Sequence, residues 1–538
     1  MKKLPLGIQN FREIIEGDYV YVDKTRYIYD LIDEAKYYFL SRPRRFGKSL
    51  LINTINEVFN GDKELFKGLW IYDSDYSFKK HPVIRLDMSN IPNETPEILK
   101  TSIAEELIAY ADKEEIKITS KEPAILFKRL IENLHKKYSQ RVVVLIDEYD
   151  KPILDHINDI KTAEDNRLVL RGFYGILKSM DPHLRFTFLT GVTKFTKTSI
   201  FSELNNLLDI TMAGKYANIC GITIEDFDRC FSEHIEHLAN LKEFKIYDSV
   251  RNEILAWYDG YSWDGETRVI NPFSLLSFFR RERFAAFWYA SGTPKFLIDL
   301  IKKRPESYTN LKNLKMTEFM LDSADLEKIS IEPLLFQSGY LTVKEIPLIA
   351  DEPIYILDMP NNEVRRAFNL HILASFAERD AEFTGQFRMN LNDALHKGDL
   401  QQMLELMRGF FASIPYELHV DIEAYYHSIF YALMTVLGFD MSVEVSVSKG
   451  RVDAILELDD KVYLMEFKYK KSSPDASDED RRKLFEEALD EAMKQIKDRE
   501  YAAKYQGSGK TIYQAAFAFL GRGDIELKVE SWTEPRIP

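Results

Sequence analysis

Two acidic side chains in one hairpin have the type and spacing for metal-dependent chemistry. The segment GRVDAILELDDKVYLMEFKYK, residues 450–470, has the pattern of two strands joined at Asp459 and Asp460. If the hairpin folds symmetrically about this turn, Asp453 lies opposite Glu466. Because like charges placed directly opposite each other destabilise a strand pair, we expect a bound metal ion to offset their repulsion.

A lysine on the second strand completes this candidate site. Lys468 lies on the same face as Glu466, because successive side chains of a strand alternate between faces. Mg²⁺ prefers one or two carboxylates together with a substrate phosphate and water, and a nearby lysine can orient or deprotonate that water. This arrangement suits hydrolysis of a phosphodiester. Glu423, on the preceding predicted helix, can approach the same end. The alternative is an amphipathic strand whose polar face meets solvent.

A second group of chemical residues lies near the amino terminus, in RPRRFGKS at 42–49. It matches the phosphate-loop pattern G-x-x-x-x-G-K-[ST], except that Arg42 replaces the first glycine. Such a loop needs exposed backbone amides, a lysine for the β- and γ-phosphates and a hydroxyl for Mg²⁺. A basic surface loop before a helix is the alternative. The predicted nucleotide-binding residues here are Arg45, Phe46, Gly47, Lys48, Ser49 and Leu50.

The strand motif VVVLIDEYD supplies the acidic partners of that loop. Asp147 ends the strand, where a carboxylate can hold the Mg²⁺ of a nucleotide together with Ser49. Glu148 follows at once and is predicted to polarise the attacking water as a general base. Thr190 ends the later strand RFTFLT, where a polar residue could sense the γ-phosphate. The alternatives are a strand that leaves the core into an acidic loop, and an ordinary strand-ending threonine.

The elements around these motifs predict an α/β chain of several domains. Strands alternate with helices over 1–215, which is typical of a parallel sheet with helices on both faces, here a P-loop ATPase domain. The strand PVIRLD lies between the two motifs in sequence, which fits ATPases whose sheet has an extra strand between them. We predict a helical extension over 216–300, a mostly helical connecting region over 301–420, and an α/β module over 421–538.

Composition limits the classes of protein. With a formal net charge of −14, any nucleic-acid contact must come from local basic patches. The only cysteines, Cys220 and Cys230, exclude a disulfide framework and a four-cysteine zinc site. The start of the chain lacks the apolar region of a signal peptide, and no apolar run approaches the roughly 20 residues that span a bilayer. We expect a soluble cytoplasmic protein with no membrane partner, and allow for a homo-oligomer.

The carboxyl-terminal motifs resemble a known superfamily. GRVDAILELDDKVYLMEFKYK looks like the Asp…Glu-x-Lys core of the PD-(D/E)XK nuclease superfamily, with Asp453, Glu466 and Lys468 as the matching residues. Glu423 matches the acidic residue of its first helix. Gln495, in AMKQIKDREY, resembles a glutamine that some branches carry on the following helix. A solvent-facing position on that helix is the alternative for Gln495.

The amino-terminal motifs extend this resemblance to a whole architecture. LPLGIQNFREIIEGDYVYVDKTRYIYDLI, SRPRRFGKSLL and VVVLIDEYDKPI resemble a bacterial family with an AAA-ATPase-like domain of the ASCE type joined to a C-terminal PD-(D/E)XK nuclease-like domain. The resemblance implies ATP and Mg²⁺ as cofactors, and an ATP-dependent or ATP-regulated nuclease that hydrolyses DNA. Two alternatives stay open: an ATP-driven switch that binds nucleic acid or a protein partner without cutting, and an RNA-directed nuclease.

Overall fold

The structure is a computed structural model of the chain. It describes residues 1–194, 206–241, 246–288, 313–322, 331–377, 381–412, 441–447, 450–473, 476–498, 508–520 and 524–532, and the isolated positions Tyr426, Ile429, Phe430, Leu433, Met434, Ala502 and Tyr505. The chain divides into two compact units. The first comprises Met1–Phe296 and Lys312–Val364, and the second comprises Leu297–Leu311 and Arg365–Pro538.

The first unit contains two sheets and the helices around them. Its strands are β1 (Tyr37–Ser41), β2 (Val83–Asp87), β3 (Val142–Asp147), β4 (Leu184–Gly191), β5 (Leu208–Asp209), β6 (Leu314–Thr317), β7 (Thr342–Glu345), β8 (Leu348–Ile349) and β9 (Glu352–Asp358). Its helices are α1 (Phe11–Glu16), α2 (Thr25–Glu34), α3 (Lys48–Asn60), α4 (Pro96–Lys113), α5 (Pro123–Tyr138), α6 (Lys151–Leu154), α7 (Ile160–Ser179), α8 (Ile224–Ala239), α9 (Tyr247–Tyr258), α10 (Pro272–Arg281), α11 (Glu318–Asp322) and α12 (Ile331–Ser338).

The larger sheet of this unit is parallel and has the order β2-β3-β4-β1-β5 within the described residues. All six residues of β3 are buried, as expected of a strand covered on both faces. On one face, α4, α5 and α7 share a core with β3, in which the rings of Phe127 and Phe173 stack at 4.7 Å. The predicted parallel α/β domain is therefore confirmed.

The order of strands refines one part of the prediction. The strand that separates the phosphate-loop strand β1 from the acidic strand β3 is β4, which pairs with both. The strand PVIRLD, which includes β2, lies instead on the outer side of β3. Order along the chain does not set order in the sheet, because α7 returns the chain so that β4 fits between two strands that precede it.

Within the described residues, the remainder of the first unit consists of three helices followed by a small antiparallel sheet with two further helices. Helices α8, α9 and α10, in the region predicted as a helical extension, share an aromatic core that includes Phe227, Phe231 and Phe279. Strands β6, β9 and β7 form an antiparallel sheet, and β8 pairs with β9.

The second unit contains the hairpin that carries Asp453 and Glu466. Helix α13 (Asn362–Ala377) begins at the end of the first unit, and α14 (Ala381–Lys397), α15 (Leu400–Ala412) and α16 (Asp478–Asp498) follow. The strands are β10 (Met441–Val447), β11 (Gly450–Glu457), β12 (Lys461–Lys470), β13 (Thr511–Leu520) and β14 (Asp524–Trp532). They form one mixed sheet in chain order, in which β12 and β13 are parallel and the other pairs antiparallel.

The stretch 301–420, predicted as a mostly helical connecting region, contains strands as well as helices. Its described residues are mostly in α11–α15, but they also contain the antiparallel sheet of β6–β9, which the helical prediction missed. Short strands of two to seven residues carry too few repeats for their period to be separated from that of a helix. Two of the divisions between the compact units, at 311/312 and at 364/365, fall inside this stretch, and the boundaries of the four predicted domains stay predictions. None of the described helices is long and apolar enough to cross a membrane.

Candidate active sites

The loop between β1 and α3 has the backbone of a phosphate-binding loop at its carboxyl end. Gly47 caps α3 with φ 90°, in the left-handed region that favours glycine. A Cβ atom on Gly47 would meet nothing within 4 Å, so the backbone is open there. Arg45, which is exposed, also has a left-handed φ of 67°. The amides at the start of α3 are therefore placed as an anion site requires.

Arg42, at the position of the missing glycine, is a buried structural residue. Its Nη1 donates to the carbonyls of Ser41 and Thr211 at 2.9 Å, and its Nη2 donates to the carbonyl of Tyr216 at 3.3 Å. The guanidinium lies 3.9 Å from the centre of the Trp263 ring. Burial lowers the pKa of Arg42 to about 10. Because its φ is not positive, this position does not require glycine.

Lys48 is almost completely buried at the first position of α3. Its Nζ donates to the carbonyls of Arg42 and Pro43, each at 2.9 Å. Burial lowers the pKa of Lys48, and the negative charges of Glu148 and Asp147 oppose this effect. The ammonium group therefore lies inside the loop, bonded to carbonyls that are weaker partners than a phosphate.

Asp147 has the environment of a cation ligand. Its Oδ1 accepts hydrogen bonds from Thr190 Oγ1 at 2.7 Å and from the amide of Glu148 at 3.0 Å. Its Oδ2 is buried and has no hydrogen-bond partner in the described part of the chain. A buried carboxylate oxygen without a donor fits a hard cation such as Mg²⁺. Thr190, predicted as a γ-phosphate sensor, is placed by the structure against Asp147.

Glu148 has a left-handed backbone conformation and a raised carboxyl pKa. Its φ is 49°, so the chain turns sharply where β3 ends. Burial raises the pKa of Glu148; the positive charges of Lys48 and Arg44 counteract this rise, while Asp147 adds to it. A raised carboxyl pKa lies closer to neutral pH, where a general base works best.

Asp150, in the same DEYD motif, was not predicted as a site residue. It is buried, and its carboxylate accepts hydrogen bonds from the amide and hydroxyl of Thr193, both at 2.7 Å, and from the amide of Val192. Burial raises the pKa of Asp150, and the bonds from Thr193 lower it. Asp150 therefore fixes the chain after β4 beside Asp147. The sequence signal that could have identified it is that Asp150 is a third acid in the DEYD motif, after Asp147 and Glu148.

An apolar cavity of about 100 Å³ adjoins the loop. It includes the remaining predicted loop residues that are apolar, Phe46 and Leu50, and Ser49 lies beside them in the first turn of α3. The other lining residues come from the first 24 residues, from later turns of α3 and from 219–276, far from any motif. No local signal in the sequence identifies this cavity. Its apolar lining suits contact with a flat organic group.

The hairpin of the second unit has the predicted register. Ala454 pairs with Met465 and Leu456 with Tyr463, which places Asp453 opposite Glu466. The regular pairing of the two strands stops at Ala454. Beyond it, each carboxylate approaches a backbone amide of the opposite strand. Asp453 Oδ2 accepts from the amide of Phe467 at 2.9 Å, and Glu466 Oε2 lies 3.4 Å from the amide of Asp453.

Helix α16 covers the face of β12 that carries Glu466. Gln495 Nε2 donates to Glu466 Oε1, and Lys468 Nζ lies 3.9 Å from the same oxygen. Apolar side chains of β12 and α16, including Leu464 and Ile496, form the core below. Glu466 is completely buried, so the alternative of a polar face in solvent is wrong. Gln495 likewise points to the carboxylate pair rather than to solvent.

The structure thus brings Asp453, Glu466, Lys468 and Gln495 together. Glu423, predicted as a further acid, lies outside the described residues. Within the described part of the chain, no three His, Cys, Asp or Glu side chains converge as a metal cluster. The donor set of the hairpin is therefore two carboxylates, which is the number that Mg²⁺ combines with phosphate and water.

Comparisons with known proteins match the two end regions of the chain and its full length. A family model described as a predicted AAA-ATPase matches residues 5–201. A model of the PD-(D/E)XK nuclease superfamily matches residues 421–528. A protein of Azotobacter chroococcum mcd 1, described as an uncharacterized protein in the vnfD 5' region, is 39% identical over 542 residues, which cover 98% of this chain and 99% of the relative.

Proposed function

Because this chain belongs to the family of AAA-ATPase-like proteins with a C-terminal PD-(D/E)XK nuclease superfamily domain, we propose that it is a Mg²⁺-dependent nuclease that hydrolyses DNA and is driven or regulated by ATP. The observation that carries the proposal is the pair of carboxylates, Asp453 and Glu466, at the point where the ladder of β11 and β12 opens. A domain that only binds has no use for facing carboxylates, which repel each other.

The residues of the hairpin divide the work of hydrolysis. Asp453 and Glu466 would hold a divalent cation, which supplies charge stabilisation to the phosphate and lowers the pKa of a bound water. Gln495 and the amide of Phe467 fix the orientation of these carboxylates. Lys468, on the same face, orients the attacking water or takes part in its deprotonation.

The first unit would bind ATP with Mg²⁺ at the start of α3. Lys48 would exchange the carbonyls of Arg42 and Pro43 for phosphate oxygens. Ser49 and the unpartnered Oδ2 of Asp147 would hold the cation that neutralises the phosphates.

Other groups of the first unit complete this nucleotide site. The apolar cavity beside Phe46 and Leu50 would take the base. Glu148 acts as general base for the attacking water, and Thr190 holds Asp147 in place.

A substrate panel tests the function. The purified chain is incubated with supercoiled plasmid, linear duplex, single-stranded DNA and RNA, each with and without ATP and Mg²⁺. We expect cutting of DNA that requires Mg²⁺, stops in EDTA and changes with ATP. DNA that is bound but never cut would support the switch instead, and cutting of RNA alone would make the chain a ribonuclease.

A matched pair of variants excludes a contaminating nuclease. Asp453→Asn removes one charge from the proposed centre, whereas Asp459→Asn removes the same charge at the exposed turn of the same hairpin. Cutting that belongs to this chain disappears in the first variant and persists in the second. Equal cutting by both variants would assign the activity to another protein in the preparation.

A further inference from the structure

Trp288 is a buried side chain that contacts the phosphate loop from a distant part of the first unit. Its indole Nε1 donates a hydrogen bond of 2.9 Å to the carbonyl of Arg44. Arg44 directly follows Pro43, whose carbonyl accepts a hydrogen bond from Lys48 Nζ. Neighbouring carbonyls of the loop are therefore held by two different groups, one from the nucleotide site and one from Trp288.

The backbone of Trp288 is held in turn by a buried acid. Its amide donates to Glu363 Oε1 at 2.7 Å, and Glu363 is completely inaccessible to solvent. Burial raises the pKa of Glu363 to about 7, while the amides of Trp288 and Phe287 lower it. A polar group at such depth depends on its hydrogen bonds, because leaving it unpaired costs roughly 1–3 kcal/mol.

The backbone at Gly339 packs closely against both Pro43 and Trp288. Gly339 has φ 92°, and a Cβ atom there would come within 2.8 Å of the Pro43 side chain and 3.3 Å of the Trp288 ring. The neighbouring ring of Tyr340 lies 5.3 Å from that of Trp288. Because these contacts are so close, a movement of the loop at Pro43 and Arg44 would displace Trp288 and the backbone at Gly339.

Glu363 lies in a helix in which the chain passes from the first compact unit to the second. Helix α13 runs unbroken from Asn362 to Ala377, and the last of the three chain crossings between the units falls within it, between Val364 and Arg365. The chain also crosses between the units at 296/297 and 311/312. The first turn is anchored in the first unit by Glu363, and Asn361 Oδ1 caps it by accepting from the amide of Val364 at 3.1 Å.

We propose that Arg44, Trp288 and Glu363 form the link by which nucleotide at the phosphate loop regulates the nuclease unit, with α13 as the element that carries the change. This rests on the proposed function of both sites. When Lys48 leaves the carbonyls of Arg42 and Pro43 for a phosphate, the loop at 42–44 rearranges, and the bond from Trp288 passes this change to Glu363 and the first turn of α13. A ligand shifts such an element only through contacts that differ between its two states.

Removing one hydrogen-bond donor, the indole N–H of Trp288, tests this link. Trp288→Phe keeps an aromatic ring but cannot donate to the carbonyl of Arg44. We expect ATP affinity, ATP turnover and cutting without ATP to stay within about threefold of the wild type. The factor by which ATP changes the rate of DNA cutting should fall towards one. Trp257→Phe, a substitution of a partly buried tryptophan in α9, should keep the full ATP effect.

A conservative change and a second measurement keep the test decisive. Glu363→Gln preserves an oxygen acceptor for the amide of Trp288, so it should retain the ATP effect, whereas Glu363→Leu should lose it. In the wild type, a non-hydrolysable ATP analogue should alter amide hydrogen exchange in residues 362–369, and Lys48→Ala should abolish that response. This readout does not depend on whether Trp288→Phe folds well.

The outcomes separate this inference from the function beneath it. If ATP has no effect on cutting by the wild type, regulation by ATP fails, and the link fails with it. If ATP regulates the wild type and Trp288→Phe to the same extent, or if exchange at 362–369 is unchanged by nucleotide, only the link is overturned. If Trp288→Phe loses ATP affinity as well, Trp288 is a packing residue of the nucleotide site.

Discussion

The two candidate sites arrange charge in opposite ways. In the first unit, a cation, Lys48, is buried near Asp147 and bonds to two carbonyls of its own loop. In the second unit, two carboxylates, Asp453 and Glu466, face each other and are balanced by amides and by Lys468 at 3.9 Å. The first arrangement is prepared for an anion and the second for a cation. A polyphosphate and a divalent metal ion are the ligands that these charges complement.

The sites also differ in how the chain assembles them. The carboxylates belong to one hairpin and lie thirteen residues apart in sequence. The nucleotide site combines the ends of β1, β3 and β4 with helix α3, which are spread over more than a hundred residues. A local site can be disabled by changes that leave the rest of the molecule intact, whereas a dispersed site shares its residues with the core. The variants below use this difference.

The largest effect is expected at the carboxylate pair. Asp453→Asn combined with Glu466→Gln should reduce Mg²⁺-dependent DNA cutting by on the order of 10³-fold or more, since loss of the metal removes several kcal/mol of charge stabilisation. ATP binding by the first unit should be unchanged. Initial rates of plasmid nicking, with calorimetric titration of ATP, measure both. Undiminished cutting without metal would end the assignment.

The general base of the first unit comes next. Glu148→Gln should bind ATP normally but hydrolyse it about 10²–10⁴-fold more slowly. Glu105→Gln, on the exposed side of α4, is the matched control. Because burial raises the pKa of Glu148, turnover in the wild type should fall during acidification at a higher pH than for an exposed carboxylate. A phosphate-release assay across pH measures this, and unchanged turnover in Glu148→Gln would refute the role.

Lys48→Ala tests whether the buried cation is a phosphate ligand. A charge-assisted hydrogen bond contributes about 1.5–3 kcal/mol, so ATP affinity should fall by roughly 10–150-fold. Lys67→Ala, an exposed lysine of the same unit, should bind as the wild type does. Thermal melting of both variants without nucleotide separates loss of binding from loss of stability. Equal affinities in calorimetry would remove the phosphate-loop interpretation.

The smallest effect is expected at the partner of a metal ligand. Gln495→Ala frees the carboxylate of Glu466 from its donor, and loss of such a partner costs about 10–100-fold in metal affinity or activity. Higher Mg²⁺ should therefore recover part of the cutting rate. Lys494→Ala, which changes an exposed neighbour on α16, should need no extra metal. If both variants show the same Mg²⁺ dependence, Gln495 does not position Glu466.

Much of both sites could be predicted because their signals are local. The register of β11 and β12 follows from the turn at Asp459 and Asp460 and from the two-residue period of a strand. The order strand, loop, helix around Gly47 and Lys48 identifies the anion site, because glycine and helix-terminal amides act within a few residues. The buried run of β3 likewise predicts a parallel strand that ends in an acid.

The tertiary structure alone decided the rest, because burial and hydrogen-bond partners come from segments far away in sequence. The sequence alone does not show that Arg42 donates hydrogen bonds to the carbonyls of Thr211 and Tyr216. Nor does it show that β4 lies between β1 and β3. Nor could it show that α16 buries Glu466 completely, or that Trp288 joins the phosphate loop to Glu363. Local patterns determine which residues form an element and which face they share, whereas packing decides what that face meets.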